Sequence, residues 1–461
     1  MNFSAEEFLT RSLYHQTGGK SICRVLAASL NAVHPGTLVR WNLSRRGSLL
    51  LIGDRKVELP RDGRLIVLAV GKAALPMAAA AEEVLGQRLD QGLLLTKQES
   101  LARWEQPLER FQVFSGGHPH PNENGLRAAR QIHSTLQDLT GDDLVLLLLS
   151  GGASALLSLP VESISLDELR QTNQLLIASG ADIVEINTIR KHLSLVKGGR
   201  LAETAAPAPV YALILSDVLQ QRADMIASGP TMPDPTRCQD ALTILEKYRL
   251  SSQVPPSVLD HLHGGSKAVS TETPKPGEPL FDQVHNRILG DNRLAVEAGL
   301  QQARKEGFFC QRLPEPFLGE AAETGEQLGE LLVALARNNQ PFPRPACLIG
   351  GGEPTVEIAG ELESSQGGRN TEVALAAVET IAGLKDALLI TLASDGEDGP
   401  TDAAGAAATG ATRARSATQN LNPQKYLQEH NSYLFFEQLE DLIKIGPTHT
   451  NVNDLYFLFT V

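Results

Sequence analysis

Asp143-Leu-Val-Leu-Leu-Leu-Leu-Ser150-Gly151-Gly152-Ala-Ser154-Ala-Leu-Leu157 is the stretch around which we expect the fold to be organised. Its uncharged apolar run, which stops at a Ser-Gly-Gly turn, is typical of a central parallel strand buried on both faces. The small residues let the backbone turn sharply and expose successive N–H groups where a helix begins. A helix start attracts phosphate or carboxylate oxygens, so Ser150, Gly151, Gly152 and Ser154 are candidate anion ligands. A strand followed by a glycine turn also occurs where nothing binds, and this stretch alone leaves both interpretations open.

A second junction between a strand and a glycine lies upstream, where Arg64-Leu-Ile-Val-Leu-Ala-Val70 runs into Gly71-Lys72. The alanine-rich stretch from Met77 to Leu85 follows and is predicted to be helical. The junction lacks the GxxxxGK[ST] spacing of a P-loop and therefore gives no Walker site. A lysine at a strand end is often a solvated surface group, but one directly after glycine at the carboxyl edge of a sheet is well placed to bind a ligand. We therefore interpret Lys72 as a functional residue.

The most concentrated positive charge in the sequence follows, in Asn187-Thr-Ile-Arg-Lys-His-Leu-Ser-Leu-Val-Lys-Gly-Gly-Arg200. A basic run is usually a solvated face. Here Asn, Thr and a glycine pair are interleaved with the charges, which favours anion handling by Asn187, Lys191, Lys197 and Gly198.

Two further segments carry polar side chains next to predicted strands. Asp217 follows the apolar run that begins at Pro209, in a position suited to Mg²⁺ binding or proton abstraction. His118 and His120 lie in a loop rich in turn residues after the strand Phe111-Gln-Val-Phe114. No third ligand has zinc-site spacing, so we expect a substrate-facing loop rather than a structural zinc.

A second α/β segment begins near His285 and carries two motifs of its own. The segment Gly367-Gly-Arg369-Asn370 opens an alanine-rich helix. An arginine at such a position usually binds a planar oxyanion through two parallel hydrogen bonds. The strand Asp386 to Ala393 leads into a loop in which Asp395 and Asp398 are interleaved with glycines. The acids of this loop either lie on a solvated surface or, as the preceding buried strand favours, hold a cation or a substrate hydroxyl.

The length of 461 residues predicts two to three domains. A polar, proline-rich stretch marks the boundary, giving an N-terminal domain over residues 1–240, a linker over 241–284 and a C-terminal domain over 285–461 whose last strand could return to the first domain. The fold class is α/β: a larger Rossmann-like three-layer N-terminal domain and a smaller α/β C-terminal domain, with a cleft between them.

The composition excludes several classes of partner. A formal net charge of −13 argues against a nucleic-acid or anionic-membrane surface. The four cysteines are far apart and form no CxxC, which favours free thiols in a reducing compartment. The acidic N-terminus is unlike a signal peptide, and no apolar stretch reaches the ~20 residues of a membrane span. We expect a soluble cytoplasmic protein, as a monomer or a homodimer.

Taken in order, these motifs closely resemble the glycerate 2-kinase family of the MOFRL type. The resemblance runs over most of the chain and rests on six segments: Ser150-Gly-Gly-Ala-Ser-Ala-Leu-Leu, Asn187 to Ala202, Ser228-Gly-Pro-Thr-Met-Pro-Asp-Pro-Thr236, Gly367-Gly-Arg-Asn370, Ser394-Asp-Gly-Glu-Asp-Gly-Pro-Thr-Asp-Ala-Ala-Gly405 and Gly446-Pro-Thr-His-Thr-Asn-Val-Asn-Asp454. It implies ATP- and Mg²⁺-dependent phosphorylation of D-glycerate to 2-phosphoglycerate in a cleft between the two domains. The family's essential lysine and arginine map onto Lys72 and Arg369.

On this resemblance each candidate residue receives a role. The residues of the Ser150 turn and of the basic segment bind the nucleotide; Lys72 and Arg369 act on the glycerate carboxylate and the moving phosphoryl group. Asn370 and Asp395 contact the substrate, and the magnesium ligands come from Asp217, Asp395 and Asp398. Three departures stand out: Ser216-Asp-Val-Leu-Gln-Gln-Arg222 lacks an acid the family often has, Glu361 to Gln366 is less glycine-rich than usual, and Thr371 stands where Gln is common.

Two other functions stay open at this stage. A hydroxypyruvate reductase would need a nicotinamide site, but no GxGxxG followed by an acid about twenty residues on occurs. A catalytically silent homologue that binds a small anion is the second alternative, and only the Leu219 to Arg222 departure supports it.

Overall fold

The computed structural model describes residues 3–59, 62–219, 223–266, 272–314, 316–357 and 365–461. These form two compact units, Pro35–Leu289 and Met1–His34 together with Gly290–Val461. We call them the parallel-sheet unit and the mixed-sheet unit. Two of the departures from the family pattern, at 220–222 and 361–364, lie outside the described residues.

The secondary structure consists of alternating strands and helices along most of the chain. The strands are β1 Leu43–Arg46, β2 Leu49–Ile52, β3 Arg55–Glu58, β4 Leu65–Val70, β5 Gln91–Lys97, β6 Phe111–Gly116, β7 Leu144–Leu149, β8 Val210–Leu215, β9 Val284–Gly290, β10 Phe309–Arg312, β11 Phe317–Glu320, β12 Ala346–Thr355, β13 Ala387–Ala393, β14 Gly405–Thr409, β15 Leu442–Ile443 and β16 Asp454–Thr460. The helices are α1 Arg11–His15, α2 Gly19–Ala32, α3 Pro35–Asn42, α4 Ala74–Leu85, α5 Gln98–Ala102, α6 Glu123–Gln137, α7 Ala153–Leu156, α8 Leu166–Ala178, α9 Ile183–His192, α10 Arg200–Ala205, α11 Cys238–Lys247, α12 Pro256–Gly265, α13 Asn292–Lys305, α14 Ala321–Asn338, α15 Arg369–Thr380, α16 Thr412–Thr418, α17 Pro423–Gln428 and α18 Ser432–Gln438.

The parallel-sheet unit is built on a six-stranded sheet with the order β6-β5-β4-β7-β8-β9. Strands β6, β5, β4, β7 and β8 pair in parallel, and every residue of β4, β7 and β8 is buried. The leucine run of β7 therefore lies between β4 and β8, inside the sheet, as its uninterrupted apolar sequence predicts. The predicted α/β class with a parallel sheet in the N-terminal domain is confirmed.

The predicted linker is wrong as a domain boundary, because residues 241–284 belong to the parallel-sheet unit. Leu242 and Leu245 of α11 and Val258 and Leu262 of α12 are buried in its hydrophobic core. Pro255 and Pro256 of that proline-rich stretch lie at the start of α12, where proline at the first helical position loses no intrahelical hydrogen bond.

The mixed-sheet unit contains β16 as an antiparallel strand between β12 and β13, with β10 parallel to β12. Its assignment to a separate C-terminal α/β domain is confirmed, but the first 34 residues also belong to it, which the predicted boundaries missed. The apolar residues between Ala5 and Val33 lie at helical spacing, but this segment forms separate helices, since Gly18 adopts a φ of 74° between α1 and α2. Helix α2 packs against α13, where a Cβ on Gly299 would lie 2.3 Å from Ser29 Oγ.

Among the described residues, no single helix has both the length and the apolar composition to cross a membrane. The bent pair α2 and α3 passes the same test by length and composition only.

An ion pair between the exposed Arg64 and the buried Asp143 lies just before the starts of β4 and β7. The Asp143 carboxylate accepts hydrogen bonds from the Arg64 backbone N–H (2.7 Å), the Arg64 guanidinium (2.9 and 3.1 Å) and the Thr140 N–H (2.8 Å). The Arg64 hydrogen bond is the largest influence on Asp143 and holds the pKa of that carboxyl below its usual range. The unfolded carboxyl titrates near pH ~4, so the ion pair stabilises the fold fully above that pH and less as the pH falls below it.

Asp143→Asn is expected to lower the free energy of unfolding by about 2 kcal/mol at pH 7, because it removes charged hydrogen bonds from a buried site. Urea unfolding at pH 7, 5 and 3 checks this: the difference from the unmodified chain should be equal at pH 7 and 5 and smaller at pH 3. The exposed neighbour provides the control, Asp142→Asn, with little change expected. A pH-independent difference would contradict the assignment.

Candidate active site

Two glycine turns at the carboxyl edge of the parallel sheet are hydrogen-bonded to each other. The Lys72 N–H donates to Gly151 O (2.9 Å), and the Ala73 N–H donates to Ser150 Oγ (3.0 Å). Gly71 has a φ of 125°, and a Cβ there would lie 2.2 Å from Ser150 Oγ. The turn after β4 and the turn after β7 thus form one rigid edge, which explains glycine at position 71.

Three chemically active side chains lie against this edge. A Cβ on Gly152 would lie 3.1 Å from Lys72 Cγ and from His118 Cδ2, and one on Gly151 would lie 2.2 Å from Asp217 Oδ2. Among the described residues, Lys72 Nζ has no hydrogen-bond or ion-pair partner. Burial, aided by the positive charge of Lys72, lowers the pKa of His118 to about 4, so His118 is neutral at pH 7. The edge therefore presents one cation, one neutral imidazole and one carboxylate.

The helix predicted after Gly152 is a single turn, α7, of four residues. A macrodipole builds up over several turns, so α7 cannot supply the half-charge that the sequence suggested. Ser154, on this turn, contacts Ser228 Oγ (2.7 Å), which donates to Asn187 Oδ1 (2.9 Å). The Gly198 N–H in turn donates to Ser228 O (3.0 Å). Ser154, Asn187 and Gly198 are thus brought together around Ser228, a residue of the predicted family motifs that had no predicted role of its own.

Lys197 binds the same turn from inside the protein. Its Nζ donates to Ser154 O (2.7 Å) and Leu157 O (2.9 Å). Burial, and then the charge of Arg190, lowers the pKa of Lys197 to about 7. These contacts favour a role for Lys197 in holding the turn in place, and direct nucleotide binding by Lys197 stays a prediction.

Lys191 is directed elsewhere. Its side chain is buried, and its Nζ lies 3.4 Å from Asp224 and 3.5 Å from Asp234. A buried lysine between two carboxylates is neutralised within the protein. This geometry favours a structural ion pair over the predicted nucleotide contact.

A pocket of about 290 Å³ opens beside the turn and is strongly cationic. Arg170 and Arg190 line it together with His118, His120 and Lys197, and none of the described residues that line it is acidic. Arg190 Nε donates to Asn173 Oδ1 (2.8 Å), and Arg170 Nε donates to Pro121 O (2.7 Å), which fixes both guanidinium groups. In a chain of net charge −13, such a pocket is suited to a phosphate or carboxylate.

Sequence reasoning missed Arg170 and did not single out Arg190. Arg170 lies in α8, an amphipathic helix that begins with a capping box, and no motif around it indicates that its side chain binds an anion. Arg190 belongs to the basic segment, but which of its charges faces the pocket depends on the orientation of α9. The histidine loop, by contrast, does line the pocket as the predicted substrate-facing loop should.

In the mixed-sheet unit, Arg369 is the first residue of α15 and is held by two carboxylates. Its Nε lies 2.6 Å from Asp454 Oδ2, and its Nη1 lies 3.3 Å from Glu353 Oε1. Burial raises the pKa of Asp454 to about 7, although the Arg369 guanidinium opposes that rise. About a third of the Arg369 side chain remains exposed. The guanidinium is thus oriented by the two carboxylates, and part of the side chain remains accessible to a ligand.

Asp398 caps the same helix. Its carboxylate accepts hydrogen bonds from the backbone N–H groups of Asn370 (2.9 Å) and Thr371 (2.8 Å) and from Thr371 Oγ1 (2.9 Å). The Asp398 side chain is fully buried, and both oxygens are occupied, which favours this structural role over the predicted metal binding. Asp395 is half-buried and accepts from the Glu397 N–H (3.2 Å), so its proposed contacts with substrate and metal stay predictions.

Asn370 stands next to this cap with part of its side chain unused. Its Oδ1 is buried, and no described residue hydrogen-bonds it; the same holds for the hydroxyl of Tyr456. Buried polar atoms normally have partners, so these two mark a polar environment in α15 and β16 that the described residues do not satisfy.

The parallel sheet with basic side chains at its carboxyl edge places the chain among α/β proteins whose site is suited to small anions. Two family models match it: Domain of unknown function (DUF4147) over residues 21–263 and MOFRL family over residues 346–454. A D-glycerate 2-kinase from Thermotoga maritima is 39% identical over 436 residues, covering 95% of this chain and 97% of that protein. A glycerate 2-kinase from Pyrococcus horikoshii is 38% identical and covers 94% and 95%.

The crystal structure of a glycerate kinase from T. maritima superposes with a TM-score of 0.82 at 37% identity, covering 95% of this chain and 98% of that one. The chain therefore belongs to the glycerate 2-kinase family and is a kinase, as the motif resemblance predicts.

Proposed function

We propose that this chain transfers the γ-phosphoryl group of ATP to the 2-hydroxyl of D-glycerate, with Mg²⁺. The observation that carries the proposal is the cationic pocket beside the interlocked turns, with Lys72 and Asp217 at the same edge of the sheet. Phosphoryl transfer requires binding and charge neutralisation more than covalent chemistry by the protein, and this set of groups supplies both. All four cysteines are free thiols, which supports a reducing, cytoplasmic location.

The residues of the parallel-sheet unit fit a nucleotide with a divalent cation. Gly152 leaves space that a Cβ would fill against Lys72 and His118. The pocket lining provides Arg190, Lys197 and Arg170, and the guanidinium of Arg170 is also paired with Asp167. Asp217 offers the hard oxygen ligand that Mg²⁺ prefers. When bound, ATP with Mg²⁺ supplies the phosphoryl group and a divalent charge that offsets the charge of the phosphate oxygens.

The side chains of the protein then have separate tasks. Lys72, which is not neutralised by any described residue, binds and stabilises the negative charge that spreads over the transferred group. Arg170 and Arg190, fixed by their hydrogen bonds, bind anionic oxygens in the pocket. Arg369, with Asn370 beside it in α15 and Asp395 in the same unit, binds the substrate, and we propose that its exposed part takes the glycerate carboxylate. Asp217 orients either the metal ion or the attacking hydroxyl.

The proposal is tested by ADP release from ATP with D-glycerate and Mg²⁺, alongside NADH and NADPH oxidation with hydroxypyruvate. We expect ADP release that depends on glycerate, no nicotinamide oxidation, and phosphorus NMR of the product at the 2-position. Nicotinamide oxidation without ADP release would replace the kinase with a hydroxypyruvate reductase. Glycerate or ATP binding by calorimetry without turnover would favour a silent anion-binding homologue.

A further inference from the structure

Three metal-ligating side chains meet inside the parallel-sheet unit, apart from the cationic pocket. The ligand atoms of His192, Cys238 and Glu272 all lie within 4.8 Å of one another. They come from three segments that are distant in sequence: the last residue of α9, the first residue of α11 and the segment after α12. His192 and Cys238 are fully buried.

The contacts of His192 differ between its two ring nitrogens, and Nε2 faces carboxylate oxygens. Nδ1 lies 2.8 Å from Thr188 O, and since a carbonyl only accepts, Nδ1 carries a proton. Nε2 faces Glu272 Oε2 at 3.2 Å and Asp234 Oδ2 at 3.9 Å. An unprotonated Nε2 would direct its lone pair at these carboxylates, so either a second proton or a metal ion must lie there.

The surroundings of Glu272 resemble the outer contacts that orient metal ligands. Its Oε1 accepts a hydrogen bond from the Cys238 N–H (2.9 Å), and its Oε2 lies 3.0 Å from Lys275 Nζ and 3.2 Å from His192 Nε2. A zinc-bound histidine usually donates its other ring N–H to a carbonyl or carboxylate, and His192 Nδ1 makes such a contact with Thr188 O. Two ligands about 2.0–2.2 Å from a tetrahedral ion are separated by roughly 3.4 Å, close to the His192–Glu272 distance.

We propose that His192 Nε2, Cys238 Sγ and a Glu272 carboxylate oxygen bind one Zn²⁺ ion, with Asp234 or water as the fourth ligand. Cys238 binds as the thiolate, so its thiol proton is released to solvent when the ion enters, along with any proton on Nε2. The nitrogen, sulfur and oxygen ligands suit zinc rather than magnesium. The ion would fasten the end of α9 to the start of α11, and α9 carries Asn187 and Arg190 of the candidate active site.

Cobalt serves as the spectroscopic probe for the test. Full-length protein is freed of metal with a chelator and titrated with Co²⁺, and we expect one equivalent to produce a near-ultraviolet thiolate-to-cobalt charge-transfer band that Zn²⁺ abolishes. Zn²⁺ should also raise the melting temperature of the chelated protein. Cys238→Ala should lose the band and the rise in melting temperature. The control is Cys310→Ala, a half-buried thiol on β10, which should keep both.

Glu272→Gln provides a second variant that retains the thiol, and it should weaken Co²⁺ binding at least tenfold. It keeps the proposal testable if Cys238→Ala does not fold. Absence of the band in the unmodified protein, or its persistence in Cys238→Ala, would overturn the site and leave His192 as a buried imidazolium paired with Glu272 and Asp234. An unchanged Co²⁺ affinity in Glu272→Gln would remove that carboxylate from the ligand set.

Discussion

Replacing Lys72 with alanine is expected to lower kcat/KM for glycerate phosphorylation at least about a hundredfold while the chain stays folded. A cation that acts on the transition state typically contributes about 3 kcal/mol or more. Lys72 is suited to that role because its backbone is fixed by the Gly151 hydrogen bond, whereas its Nζ has no partner among the described residues. The loss of its side chain removes no internal ion pair, so folding should be little affected. Steady-state ADP release, together with circular dichroism, measures both quantities.

Two further variants separate the effect of the charge of Lys72 on turnover from the effect of its side-chain volume. Lys72→Met keeps the aliphatic chain without the charge and should be nearly as inactive as Lys72→Ala. Lys56→Ala, which removes an exposed lysine on β3 of the same unit, should retain normal turnover. If Lys72→Met had nearly normal kcat/KM, the aliphatic packing of Lys72 against Gly152 would matter rather than its charge. Lys72 would then have no role in the chemical step.

The sheet of the parallel-sheet unit could be predicted because short stretches of neighbouring residues specify its central strands. The run that forms β7 is apolar without interruption, short, and followed by glycine, which is typical of a strand buried on both faces. The same reasoning located β4, the helix after it and the position of Lys72 at the edge. These features depend on a few neighbouring residues, so the sequence alone carries them.

The roles of individual polar residues depended instead on long-range contacts. Lys191 and Lys197 look alike in a basic segment, yet one pairs with Asp234 and the other donates to the carbonyls of the α7 turn. Asp398 was indistinguishable in sequence from Asp395, but only the packing of its loop against α15 turns it into a helix cap. No periodicity or motif spacing encodes which partner each charge meets across dozens of residues.

Arg369→Ala is expected to reduce kcat/KM by a hundredfold or more, because we propose that the exposed part of its guanidinium binds the glycerate carboxylate. The variant leaves Asp454 without its partner, which would ordinarily destabilise a buried charge strongly. Here burial already raises the pKa of Asp454 to about 7, so loss of the arginine allows the carboxyl to take up a proton and stay neutral. The fold should therefore survive, and the defect should appear in turnover.

Steady-state ADP release and thermal unfolding of three variants check this expectation. Arg369→Lys should recover only part of the activity. A guanidinium can pair with Asp454 and also form two parallel hydrogen bonds with a substrate carboxylate, whereas an ammonium cannot do both. Arg413→Ala removes another arginine of the same unit, one paired with Glu379, and should be nearly normal. Full activity in Arg369→Lys would mean that only the positive charge matters. A loss of stability in Arg369→Ala as large as its loss of turnover would mean that Arg369 serves the fold rather than the substrate.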